Sequence, residues 1–369
     1  MNRLFRWDQM GLFLLALAAG ILPFAVPEVC AAALREGLAL CSGPLLLSLF
    51  PFLVVSRLLV QCPESDLLAM PFRLAAWGIG IRTPCAARVL CIGFLGGFAP
   101  AASAAAQAVR NGQLTAEEAD ALLPACICSG PSFVVLTVGQ SLLGSAELGV
   151  LLFASQITAN YLTAALLNRF AGVRSVKPGS AAPAAPAPPR LDEILADAAI
   201  TYCKLCGFIL FFRMLAAGAG ALLPAGAGTL CAILLEVCSG CDLASRTGRW
   251  GSLLCCAALS VQGLSVLLQV RTICPPEMTL RPLYRSRLLH LPLSLALFYL
   301  LLPGGEADVF STLPARVLLM RRVPPDCALL VFAVCCMAAC TLRSGIRQVE
   351  QKQMARNAGG CCINSKTLL

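Results

Sequence analysis

Four short stretches of this chain set helix breakers and polar side chains inside otherwise apolar sequence. The first is Gly96-Gly97-Phe98-Ala99-Pro100, within Val89–Val109, with Ser103 one turn on. The second is Cys128-Ser129-Gly130-Pro131-Ser132, within Ala121–Ala146. The third is Glu236-Val237-Cys238-Ser239-Gly240-Cys241, and the fourth is Ser260-Val261-Gln262-Gly263-Leu264-Ser265, with Gln269 beyond it. Pro lacks an amide donor and clashes with the preceding turn, and Gly costs a helix about 1 kcal/mol relative to Ala. In lipid, the backbone groups freed by such breaks are tolerated only where protein or a water-filled cavity satisfies them. Half-helix N-termini after Pro100 and Pro131 would present free N–H groups and the positive end of a dipole, which suits a carboxylate or another anion. Ser103, Ser129, Ser132, Ser239 and Ser265 add hydroxyls, and Gln262 an amide. Glu236 is an ionisable group next to a break, suited to a coupling proton or a substrate hydrogen bond if buried, and to solvent if interfacial. Any single break reads first as helix packing, because Gly and Pro are common in membrane helices. The set of four reads as a binding cavity. The expected substrate-binding set is therefore Gly96, Gly97, Phe98, Pro100, Ser103, Ser129, Gly130, Pro131, Ser132, Glu236, Ser239, Gly240, Gln262, Gly263, Ser265 and Gln269.

The elements that carry these breaks must be membrane helices. Of 369 residues, 58% are apolar and 13% charged, with a mean hydropathy of +0.81. A soluble chain carries roughly 45–50% apolar and about 25% charged residues. This chain has too little charge to coat water-soluble domains, so a multi-span, all-α membrane protein is expected. A bilayer core needs roughly 20 apolar residues per helix. Charge-free runs near that length cover Gln9–Pro27, Gly37–Ser56, Val89–Val109, Ala121–Ala146, Leu148–Asn168, Met214–Leu235, Trp250–Val270 and Leu288–Gly305, with a shorter one at Cys327–Leu342. The first run, followed by small residues at Val29–Ala33, also fits a signal peptide. Leu67–Ile81 reads as an interfacial amphipathic segment.

Ser175–Arg190, rich in Pro and Ala, cannot hold a regular helix and divides the chain into two halves. Phe52-x4-Arg57-Leu58-Leu59 in the first half matches Phe208-x4-Arg213-Met214-Leu215 in the second. Each motif reads as the end of a long apolar helix followed by two broken segments, which predicts internal repeats. Arg57 is expected near the cytoplasm and Arg213 near the far side, so the repeats are expected to be inverted. The predicted organisation is a first span (1–36), a gate-like repeat (37–170), a cytoplasmic linker (171–192), a second repeat (193–303), a last span (304–342) and a basic cytoplasmic tail (343–369).

Other chemistry is sparse. The 21 cysteines lie mostly in apolar stretches, where a free thiol acts as a small apolar residue. Cys203/Cys206 and Cys238/Cys241 have C-x-x-C spacing, but packing explains them better than a metal. Lys204 reads as snorkelling and His290 as interfacial. Arg110–Ala119 reads as a polar connector with a capping box, Thr115-x-x-Glu118. The phosphate-loop, zinc-protease and nucleophile-elbow patterns do not occur, so no enzyme activity, cofactor or metal is expected. The net charge of +9 is scattered between apolar stretches, which argues against nucleic acid as a partner.

Gly93–Gly139, with its Gly-rich break containing a Pro, its Arg-Asn-Gly turn, its Glu-Glu-Ala helix and its Ser-Gly-Pro-Ser-Phe break, resembles the YlbJ-type sporulation integral membrane proteins. Ser48–Leu59, Ile233–Ser245 and Ala258–Val270 look like further segments of that family, and the likeness extends over Gly37 to Leu302. Here the first break is Gly-Phe-Ala-Pro-Ala where the family carries a more polar Gly-Tyr-Pro run. The second is Cys-Ser-Gly-Pro where Asn and Ser are more usual. The resemblance implies two nucleoside-recognition or gate domains, a role in endospore formation, and movement of dipicolinic acid across the outer forespore membrane. The expected function is a permease for a small organic anion of that kind. A nucleoside permease and a non-transporting sporulation scaffold are the alternatives. The expected partners are the bilayer and the anionic substrate, with a homo-oligomer left open.

Overall fold

The computed structural model describes residues 2–61, 66–171 and 190–302. Most of the linker, the expected last span and the basic tail lie outside the described residues. The described chain is helical throughout: α1 (Asn2–Ala25), α2 (Pro27–Ser42), α3 (Pro44–Gln61), α4 (Asp66–Gly78), α5 (Pro84–Gly96), α6 (Phe98–Arg110), α7 (Ala116–Cys126), a π-helix (Ser132–Leu142), α8 (Ala146–Ala171), α9 (Leu191–Leu222), α10 (Ala225–Leu235), α11 (Val237–Ser245), α12 (Gly251–Val261), α13 (Gly263–Ile273) and α14 (Arg281–Leu301). Four segments among the described residues are long and apolar enough to cross a bilayer: Pro27–Leu47, Ala146–Ala171, Leu191–Leu222 and Gly248–Ile273. The chain thus has an all-α, polytopic, membrane-type fold.

The 32-residue α9 is the spine, about 48 Å long at 1.5 Å per residue. It runs antiparallel to α2 and α3, which together form a rod bent at Gly43-Pro44. The register is fixed at three levels. The Arg57 Nη1 donates to Asp197 Oδ2 at 2.8 Å at one end. The Tyr202 hydroxyl donates to the Cys41 carbonyl near the middle. The Arg213 Nη2 donates to Glu36 Oε2 at 2.8 Å towards the other end. Arg57 and Arg213 therefore lie at different levels of the bundle. The end where α9 begins is called here the linker end, and the opposite one the far end.

Two charge-free runs that read as spans are helical hairpins instead. Within Val89–Val109, Gly97 adopts φ +81°, ψ −163° and reverses the chain between α5 and α6. The Cys85 thiol reaches Gln113 Oε1 at 3.5 Å, so both arms open at the linker end. Met214–Leu235 is interrupted at Leu223-Pro224, where α9 stops and α10 turns back; Gly228 and Gly220 pack backbone to backbone there. A second reversal at Glu236 folds α11 against α10, with Gly240 on Ile233, so this hairpin opens at the far end. Hydropathy counts apolar residues but carries no sign of a reversal.

The other two breaks interrupt helices that continue onward. α7 leaves the linker end and the π-helix carries the path towards the far end; α12, Gln262 and α13 run the opposite way. α8 and α14 complete the bundle. Asn168 on α8 donates to the Ile79 and Ala121 carbonyls, and Asp120 on α7 accepts from Thr279 N, Thr279 Oγ1 and Leu280 N just before α14. α6 fits into the middle because its buried residues are largely Ala, which lets neighbouring helices approach closely. The described cysteines are all free thiols, and most are buried.

Candidate functional site

The four breaks converge. A Cβ on Gly97 would lie 2.6 Å from Gly130 N and 3.1 Å from the Cys128 carbonyl, so the tip of the α5/α6 hairpin rests on the broken helix α7/π. A Cβ on Gly263 would lie 2.8 Å from Glu236 N, so the α10/α11 tip rests on the broken helix α12/α13 in the same way. The Gln262 Nε2 donates to the Ile127 carbonyl at 3.3 Å and joins the two pairs. Gln262 holds φ +62° and Gly263 φ +69°, two consecutive left-handed residues that aim the Gln side chain across the junction.

Of the expected residues, Gly96, Gly97, Gly130, Glu236, Gly240, Gln262 and Gly263 make these contacts or the turns beside them. Phe98 opens α6, and Pro100 lies at its third position, so the free N–H groups belong to the turn starting at Gly97 rather than after Pro100. Pro131 precedes the π-helix and Ser132 begins it. Ser129 is buried beside them. Ser265 accepts from Gln269 Nε2 at 2.8 Å on α13. The Ser239 hydroxyl, Gln262 Oε1 and Gln269 Oε1 are buried without a hydrogen-bond partner. Ser103 lies apart from the junction and lines a cavity towards the linker end.

Glu236 is 1% exposed, which removes the interfacial reading. Its carboxylate caps α11, accepting from Cys238 N at 2.8 Å and Ser239 N at 2.7 Å. One half-helix N-terminus is thus already occupied by the protein's own anion. The N-termini of α6, the π-helix and α13 carry no side-chain cap.

Sequence reasoning missed the polar centre of the junction. Arg287 on α14 is 8% exposed and donates only to neutral groups: Asn160 Oδ1 at 3.1 Å, the Ile127 and Ser260 carbonyls at 3.5 Å each, and the adjacent Ser286 hydroxyl. No carboxylate among the described residues pairs with it. The Ile127 carbonyl also accepts from Asn160 Nδ2 at 3.3 Å. One carbonyl with two lone pairs thus faces three donors, all at or beyond the long edge of normal N–H···O distances. His290 is fully buried rather than interfacial, and its Nε2 contacts the Gln156 carbonyl at 3.2 Å. Gln156 Nε2 donates to Ser260 Oγ at 2.9 Å, and Ser260 meets Ser294. In the sequence, the charge-free run of this helix begins at Leu288, one residue past Arg287, and so leaves the buried cation outside it.

The junction therefore crowds three donors onto one carbonyl, leaves Gln262 Oε1 and Gln269 Oε1 unpaired, and holds a cation that no carboxylate among the described residues pairs. That arrangement suits an anion: a carboxylate would accept the guanidinium and amide hydrogens that the neutral acceptors share thinly. No family model, curated protein or solved structure matches this chain.

Proposed function

We propose that this chain is a membrane permease for a small organic anion, with the four-break junction as its substrate site and Arg287 as the counter-charge. The observation that carries this reading is Arg287, buried at the meeting point of both halves with only neutral partners. A buried charge without a partner destabilises a protein by several kcal/mol. Retaining one is understandable if an anionic guest completes the pair. The two hairpins open at opposite ends and each tip meets a broken helix, the arrangement expected of inverted repeats that rock about a fixed midplane site. The family resemblance makes dipicolinate, a planar dicarboxylate, the first substrate to test, and endospore formation the setting. An anion would meet the fork of Arg287, the amides of Asn160 and Gln262, and the uncapped N-termini of α6 and the π-helix.

The test is uptake of labelled dipicolinate into proteoliposomes, with unlabelled dicarboxylates and nucleosides as competitors. Saturable uptake inhibited by dicarboxylates is expected. Arg287→Met should lose about 100-fold or more in initial rate at low substrate, and Arg287→Lys should retain part of it, because Lys keeps the charge but not the fork. Uptake unchanged by Arg287→Met, or inhibited by nucleosides and not by dicarboxylates, would overturn the proposal. The buried, unpaired Gln262 Oε1 favours nucleosides as the second reading, since it could accept from a ring or sugar donor.

A further inference from the structure

A cavity of about 170 Å3 opens at the linker end between α3, α6, α9 and α13, away from the junction. Arg57, Ser103, Arg110, Asp197, Thr201 and Lys204 are among its lining residues, so three cations face one carboxylate. Arg57 is 9% exposed. It gives one Nη to Asp197 at 2.8 Å and the other to Thr201 Oγ1 at 3.3 Å, and its Nε is buried without a partner. Asp197 thus holds the guanidinium at a single point, and its own side chain is 60% exposed. Arg110 and Lys204 are exposed and have no ion-pair partner among the described residues. Ser103, 4% exposed, lies one and a half turns along α6 from the Gly97 tip. The volume holds five or six waters at about 30 Å3 each, and so has room for a phosphate or a small dicarboxylate.

We infer that this cavity is a second oxyanion site, which takes a dianion between Arg57, Arg110 and Lys204 with Asp197 competing for Arg57. The inference stands on the cavity's own residues and does not depend on transport by the chain. Three cations around one small volume focus the field and raise the local concentration of anions, and salt weakens that effect. The oxyanion has two sources, a free dianion or the headgroup of an anionic lipid, since the cavity lies at the level where α9 leaves the linker.

Calorimetric titration of the full-length protein in neutral detergent with inorganic phosphate and with malonate tests the free form. Thermal shift on adding phosphatidylglycerol to the same micelles tests the lipid. Both are run on the wild type and on Arg287→Met, which removes the central cation. At least one probe is expected to bind in both proteins, more weakly as salt rises. Arg110→Gln/Lys204→Gln, two exposed changes, should weaken that binding tenfold or more. Asp197→Asn should tighten it severalfold, the reverse of what a purely structural ion pair predicts. A response to phosphatidylglycerol alone assigns the site to a headgroup, and a response to phosphate or malonate assigns it to a free anion. The inference is overturned if no probe binds, if Arg287→Met alone abolishes binding, if the double substitution leaves it at wild-type strength, or if Asp197→Asn fails to tighten it.

Discussion

Replacing Gly97 by Ala tests the convergence of the breaks most directly. At φ +81°, ψ −163°, Gly97 occupies a region that is essentially restricted to Gly, and forcing Ala there costs of order 1–3 kcal/mol. The added methyl would also sit 2.6 Å from Gly130 N and 2.9 Å from Gly130 Cα. Those are backbone atoms and cannot swing aside as a side chain would, so overpacking adds about 1–3 kcal/mol more. The sum is about 4 kcal/mol. Gly80→Ala is the control for strain alone, because φ is +89° there but nothing lies within 4 Å of the new Cβ. Gly207→Ala is the control in the opposite direction: it lies in the interior of α9 with open space around it, and should gain roughly 1 kcal/mol. Equilibrium unfolding in mixed micelles, followed by circular dichroism, should order the proteins Gly207→Ala, wild type, Gly80→Ala and Gly97→Ala from most to least stable. The Gly97→Ala protein that remains folded should also transport more slowly, because moving Gly130 shifts the Ile127 carbonyl on which the junction's donors meet. Equal stability of Gly97→Ala and Gly80→Ala would show that the hairpin tip does not press on α7/π, and the four-break site would lose its basis.

Arg287→Met should unfold no earlier than the wild type in the absence of substrate, since replacing a buried lone charge by an apolar side chain is often neutral or stabilising; thermal melts with and without dipicolinate check this. Gln262→Gly relieves a left-handed non-Gly residue, worth about 1 kcal/mol, and gives up one hydrogen bond of about the same size, so stability should change little while anion uptake falls. Asp120→Ala should destabilise by about 3 kcal/mol in the micelle unfolding assay, because it strips the Thr279 and Leu280 amides of their acceptor at the start of α14. Thr115→Ala removes the capping box of α7 and should cost about 1 kcal/mol with no change in uptake per folded molecule.

The breaks were legible because their cause is local. Gly and Pro interrupt a helix wherever they fall, and the capping box at Thr115 and Glu118 announces α7 from four residues. What was not legible is relational. Nothing in Val89–Val109 distinguishes a kink from a full reversal, since that depends on what Gly97 meets across the fold. His290 reads as interfacial, and Arg287 falls just outside the charge-free run, because a linear scan sees only the order of apolar and charged residues. In the folded chain α14 extends about two further turns back from Leu288, to Arg281, and draws both side chains inward against α8 and α12. Asn160 and Gln156 carry no local signal in the sequence, and acquire meaning only when the Ile127 carbonyl and Ser260 arrive from elsewhere in the chain.

The two clasps on α9 have a mechanical corollary. Asp197 and Arg213 are sixteen residues apart on one unbroken helix, about 24 Å along its axis, and each is bound to the α2/α3 rod. The Tyr202 contact with Cys41 falls between them, close to the bend at Gly43-Pro44. A stiff beam resting on a pivot between two latches behaves as a seesaw. Any tilt of α9 about that fulcrum stretches one latch while it tightens the other, so the beam itself forbids both ends from swinging wide together.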